Sequence, residues 1–141
     1  MVASAYVPPS LRWWFVVHFW VDVLFAVPLL VTPEWFLRVN GWQSVDPVTA
    51  RLLAAALFGI GVQSLLGRNE GPETFRSMLN LKCIWSGFAT VGLVLSIGQG
   101  APDMTWAFLA IFIAFAGVWN HYRVRLKQFA RATDQSGDQS D

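Results

Sequence analysis

The chain has 141 residues, of which 55% are hydrophobic, 15% aromatic and only 13% charged, with a formal net charge of +1. An ordinary soluble domain carries about a quarter charged residues, and no basic, aromatic-interleaved stretch is present, so nucleic acid is not expected as a partner. The single cysteine, Cys83, excludes an internal disulfide and any multi-cysteine metal site.

Residues 1–10 contain Pro8 and Pro9 and read as an irregular lead-in, with Ser10 placed to cap a helix that Leu11 begins. The run LRWWFVVHFWVDVLFAVPLLVT, residues 11–32, is long and apolar enough to cross a bilayer, since about 20 such residues span the hydrocarbon. It is too long for the apolar part of a signal peptide and no small-x-small cleavage site follows it, so it reads as an uncleaved first span. Pro28 removes a backbone donor near its far end, which predicts a kink. Thr32, Pro33 and Glu34 then form a helix start: a cap residue, proline at the first position, and an acid at the positive dipole end. The segment 33–40 is too short to cross a membrane and stops at Gly41. With Trp35, Phe36, Leu37 and Trp42 it is predicted to lie in the interface as a short amphipathic helix.

Asp46 and Pro47 repeat the start signal and open a second span, residues 47–67, in which Ala55 and Gly59 make a small-xxx-small pair for close helix packing. A polar turn over 68–73 leads to Pro72 and a third span, residues 75–97, ending at Gly98 and Gly100. After the tight turn 101–103, a fourth span covers 104–122, with Ala110, Ala114 and Gly117 as a packing stripe, and has room to continue as HYRVRLKQFARAT. Residues 132–141 are polar and are expected to be disordered. The fold class that follows is all-α membrane: one domain over 11–131, an up-down bundle of four transmembrane helices with the interfacial helix between spans one and two. Arg12, Arg68, Arg76, Arg123, Arg125, Lys127 and Arg131 fall on one side of that bundle, against Arg38 and Arg51 on the other. By the positive-inside rule both termini are cytoplasmic, in the cytoplasmic (inner) membrane.

Ionisable groups inside a span cost about 2.5–3.5 kcal/mol at its centre, so each asks for a reason. Asp22 sits halfway along the first span. His18 lies one turn before it on the same face, about 6 Å along the axis. Lys82 in the third span, Gln63 in the second and Asn120 in the fourth fall at similar depth. The five residues form a candidate intramembrane polar cluster, with Asp22 and Lys82 as the natural ion pair. One reading is a small pocket for a quinone head, a proton or a small anion. The other is structural, either a pair that locks the bundle or a Lys82 that snorkels to the headgroups.

Arg51, at the mouth of the second span, is a candidate contact for lipid phosphate or Glu34, or for an anionic ligand beneath Trp35 and Trp42. Trp13, Trp14, Trp35, Trp42, Trp106 and Trp119 fall near span ends, where aromatic belts are expected. His18 and His121 raise the question of haem or chlorophyll. His121 ends the fourth span while His18 lies deeper, so a bis-histidine site is not expected, and ligation through His18 alone is disfavoured. No phosphate loop, GxSxG or zinc spacing occurs, so no catalytic residue and no metal site are assigned.

The order of PEWFLRVNGW after the first span, then TARLLAAALFGIGVQSL, then MLNLKCIWSGFATVGLVL resembles the DoxX-like group of small four-helix membrane proteins, over roughly residues 11–122. That group is similar to the small membrane subunit of thiosulfate:quinone oxidoreductases. The resemblance implies a four-helix bundle with Arg51 and Lys82 as the matching polar positions, and it carries over no catalytic residue. A redox cysteine pair is absent from this sequence. The expected function is a non-enzymatic integral membrane protein, an accessory or scaffold subunit whose partners are the lipid bilayer and other membrane subunits. The alternative is a quinone-linked oxidoreductase subunit or small carrier working through a pocket around Asp22 and Lys82.

Overall fold

The computed structural model describes residues 7–138; residues 1–6 of the predicted lead-in and 139–141 of the predicted tail lie outside the described residues. Among the described residues there are five helices and no strand: α1 (Pro9–Val31), α2 (Pro33–Val39), α3 (Pro47–Gly67), α4 (Pro72–Gly98) and α5 (Met104–Asp138). Four of them, with the Met104–Phe129 part standing for α5, are long and apolar enough to cross a membrane.

The first four helices each begin with proline. At that position the missing N–H would have had no partner, and the fixed φ is already helical. α1 therefore starts at Pro9, with Pro8 rather than Ser10 in the cap position and no side chain capping it. Thr32 likewise gives α2 no side-chain cap. Asp46 does cap α3, its carboxylate accepting from the amides of Val48 at 3.0 Å and Thr49 at 3.3 Å and from the Thr49 hydroxyl. The Thr49 hydroxyl and the Val48 amide hold the Asp46 carboxyl below the usual carboxylate range. Its contribution to stability is therefore complete above the ordinary carboxylate value, about 3.9, and is lost as pH falls through the lowered folded value. The melting-temperature gap between the native chain and Asp46→Ala should be constant at neutral pH and shrink in acid. A gap that widened in acid would contradict the cap.

α2 stops at Gly41, whose φ of 99° suits only glycine. A Cβ there would also come within 2.9 Å of Pro102 in the α4–α5 turn. α4 stops the same way, with Gly100 at φ 84°. At its other end α5 departs from expectation: residues 132–138, predicted to be disordered, continue the helix to Asp138. Extending an existing helix fixes one residue per hydrogen bond and needs no new nucleus, so a polar segment without proline can follow on.

α1 packs along α3 and α4 along α5, while α3 and α4 touch at few points. The two helix pairs meet at one end through an aromatic cluster containing Leu11, Phe15, Phe75, Leu79, Trp119 and Tyr122. There the Arg12 guanidinium donates to the Arg68 carbonyl at the end of α3 and lies 5.3 Å from the Phe75 ring centre. At the opposite end Trp42 stacks on Phe108 at 5.9 Å, next to the Gly41–Pro102 contact.

Helix rotation differs from the small-residue reading. α3 turns Ala50, Ala54, Leu57, Gly61, Ser64 and Gly67 inward, and leaves Ala55 and Gly59 exposed. On α5 the exposed face carries Ala110, Ala114 and Gly117, while Thr105, Leu109, Trp119, Tyr122 and Leu126 are buried. Large rings bury more surface and make more contacts than alanine, so they, rather than the small residues, set the inward face of α5. Trp119 is thereby a core residue at 1% exposure and no part of an interfacial belt, whereas Trp13, Trp35 and Trp106 are each more than half exposed.

Candidate functional site: a buried polar cluster at the floor of an apolar cavity

α1 places Leu11, Phe15, His18, Asp22, Ala26 and Leu29 on one buried stripe at helical spacing. His18 and Asp22 therefore face the partner helices. Lys82 enters from α4 and is 2% exposed. Its Nζ donates to Ser64 Oγ on α3 at 2.7 Å, lies 3.1 Å from His18 Nδ1, and sits above the rings of Trp119 (4.8 Å) and Phe15 (5.1 Å). Aromatic faces carry negative potential, so they stabilise an ammonium held out of water. Lys82 does not snorkel. Ser64 donates onward to the Ile60 carbonyl at 2.6 Å, and Ser86 closes the other flank by donating to the Lys82 carbonyl at 2.7 Å.

The expected direct ion pair between Asp22 and Lys82 is replaced by a relay. His18 Nδ1 lies 2.8 Å from Asp22 Oδ2 and 3.1 Å from Lys82 Nζ, so the imidazole stands between the two charges. Its ring packs edge-on against Phe115 and Trp119, at 4.8 and 5.1 Å, which fixes its tilt. Gly61 makes this approach of α1 to α3 possible, since a Cβ there would meet Asp22 Cβ at 2.9 Å and Oδ2 at 3.0 Å. Gly61→Ala should therefore cost about 1–3 kcal/mol through overpacking. A thermal melt in detergent would show it, and an unchanged midpoint would mean that the two helices are free to separate there.

The other two residues of the predicted cluster lie elsewhere. Gln63 and Asn120 are exposed on the outer faces of α3 and α5. Their sequence neighbours Ser64 and Trp119 occupy the positions expected of them. Ser64 was discoverable, because it follows Gly61 by three residues and Leu57 by seven on the inward stripe. Arg51 is exposed, and its Nε donates to the Leu30 carbonyl at the end of α1 at 3.3 Å rather than pairing with Glu34. His121 is exposed against Tyr122. Among the described residues no group of three or more His, Cys, Asp or Glu could hold a metal ion.

Above the cluster the two helix pairs diverge around a cavity of about 410 Å3. His18, Asp22, Ser86 and Trp119 line one end, Phe25, Phe108, Phe112 and Trp85 the walls, and Trp42, Asp46 and Thr49 the other end.

Comparison with known families, characterised proteins and solved structures found no match to this chain. The resemblance to the DoxX-like group gains no support from them, and neither Arg51 nor Lys82 takes a role from it. The reading of the site rests on its own chemistry.

The cavity has the size of a small-molecule site, which typically runs to about 300–1,000 Å3 with mostly apolar walls and few polar groups. At one end the Asp22 carboxylate and the His18 imidazole face it, with the Lys82 ammonium behind them, and Asp46 and Thr49 stand at the other. Such a floor can orient the polar head of an otherwise apolar molecule.

Proposed function

We propose that this protein is a multi-pass membrane protein that binds a lipid-soluble molecule with a polar head in the cavity between its two helix pairs. The observation that carries this reading is the cavity of about 410 Å3 whose apolar walls end on the buried Asp22–His18–Lys82 cluster. Buried charges that served only to lock the helices would need no such space beside them. A quinone in its reduced, hydroxyl-bearing form is one molecule of this description. The role is binding or carriage, within an up-down bundle whose two ends face the cytoplasm and whose α2 lies in the opposite interface. Support for that orientation comes from Arg12, Arg68, Arg76, Arg123, Arg125 and Lys127, which follow one another at the cluster's end of the helices.

The test compares what stays bound through purification in mild detergent. Mass spectrometry of the native chain should find a retained lipid-soluble molecule that is lost from Ala50→Phe, whose ring would fill space beside the cavity wall. The same extract from both proteins would rule the cavity out as the binding site.

A second reading, that of an accessory or scaffold subunit, is favoured by the outward faces with Ala55 and Gly59 on α3 and Ala110, Ala114 and Gly117 on α5. Small residues on an exposed face let another helix come close. Co-purification from native membrane tests it, and a lone monomer would count heavily against it.

A further inference from the structure

The polar floor of the cavity carries an unmet demand of one sign. Asp22 is 5% exposed and lines the cavity, and its only close polar neighbour among the described residues is His18 Nδ1. That approach is short, yet Oδ2 has no aligned hydrogen bond and is enclosed against Gly61 of α3, so Oδ1, which likewise has no hydrogen bond among the described residues, is the oxygen that Asp22 offers to the cavity. A carboxylate offers about four acceptor positions, so most of its capacity is unused in a place that water reaches poorly. His18 cannot fully supply it. Its Nδ1 carries either one hydrogen or one lone pair, and Lys82 Nζ lies within hydrogen-bond distance of the same atom. If Nδ1 serves Asp22, the Lys82 contact is unmade; if it accepts from Lys82, Asp22 is left bare. Lys82 has Ser64 and two aromatic faces to fall back on. Asp22 has no such reserve.

What is missing is therefore a donor facing Asp22. The carboxylate charge is already opposed by the nearby ammonium of Lys82, so the donor need bring no charge. We infer that the cavity takes an uncharged lipophilic alcohol or phenol whose hydroxyl donates to Asp22 while its apolar body lies among Phe25, Phe108, Phe112 and Trp42. On docking, the hydroxyl satisfies the carboxylate and leaves His18 Nδ1 free to accept from Lys82. The ligand thereby completes both halves of the relay. This inference rests on the cavity reading above and adds to it the chemistry of the head group.

The probes are 4-octylphenol, its methyl ether 4-octylanisole, and octylammonium, each titrated calorimetrically into the full chain in nanodiscs against empty nanodiscs. A hydrogen bond to a buried charged acceptor is worth about ten- to a hundredfold in affinity, so the phenol should bind that much more tightly than the ether. Asp22→Leu should bring the two close to parity, and Asp22→Asn, which keeps an acceptor, should retain part of the preference. The ranking in the native chain decides the matter even where a variant fails to fold. Equal saturable binding of phenol and ether would overturn the inference and leave the cavity reading standing. Tightest binding of octylammonium would overturn the argument from charge balance. The absence of saturable binding by any of the three probes would remove the cavity reading, and the inference with it.

Discussion

Replacing Lys82 with methionine is expected to lower the stability of the folded chain by about 3 kcal/mol, the cost typical of removing one partner from a buried charge pair. Methionine keeps the unbranched stem and most of the volume, so the packing against Phe15 and Trp119 survives. The loss falls on the donor to Ser64 and on the charge that opposes Asp22. Because that loss is electrostatic, a second change should repair it. In Lys82→Met/Asp22→Asn no net charge remains in the cluster, and the double variant should recover more than half of the deficit. Unfolding in mixed micelles, run as a double-mutant cycle, separates this coupling from plain loss of packing. A Lys82→Met variant that unfolds at the native midpoint would show that the ammonium reaches water after all.

Trp119→Ala is expected to cost about 3–5 kcal/mol, as large buried aromatic residues do when truncated. Its ring stacks on Phe115 at 5.6 Å, meets Phe15 edge-on at 5.9 Å, tilts against His18 and covers the Lys82 ammonium. One side chain thus belongs at once to the aromatic core, to the cation's surroundings and to the cavity floor. Truncation should enlarge the cavity and loosen His18 together, while Trp119→Phe keeps a ring and should recover much of the loss. Trp20→Ala on α1 is the control. Trp20 is 63% exposed, and surface changes of that kind usually stay within about 0.5 kcal/mol. Equal shifts at the two positions would mean that Trp119 does not hold the bundle together.

The sequence makes axial position legible and helix rotation much less so. Pro33, Pro47 and Pro72 mark helix starts because proline is disfavoured almost everywhere else in a helix, whereas Pro9, taken into the lead-in, begins α1 two residues ahead of the expected Leu11; Gly41 and Gly100 mark stops because little else tolerates a left-handed φ. Depth along each helix follows by counting, which is how Lys82 and the His18–Asp22 pair could be matched before any contact was known. Rotation is a finer quantity, since one residue turns the chain by about 100°. Choosing Gln63 rather than Ser64, or Asn120 rather than its buried neighbour Trp119, is an error of a single step. On helices long and apolar enough to cross a membrane, the outer surface is as apolar as the inner one, so no polar stripe marks the outward side and corrects such a step. The small residues mislead for the same reason, being compatible with either face. Close approach is decided at Gly61, where the partner atom is Asp22 itself. The relay through His18 was invisible for another cause: i, i+4 spacing puts two residues on one face, but it does not say which of them a third group will touch first.

The division of the cluster between the two helix pairs has a consequence for how the chain is made. His18, Asp22 and Ser64 all belong to the first pair, and Lys82 arrives with the second. During synthesis the first pair is made with only His18 beside Asp22, and the Lys82 ammonium that opposes its charge is still to be translated. Completion of the second pair supplies that charge, so the unfinished chain carries a chemical mark of incompleteness that disappears on assembly.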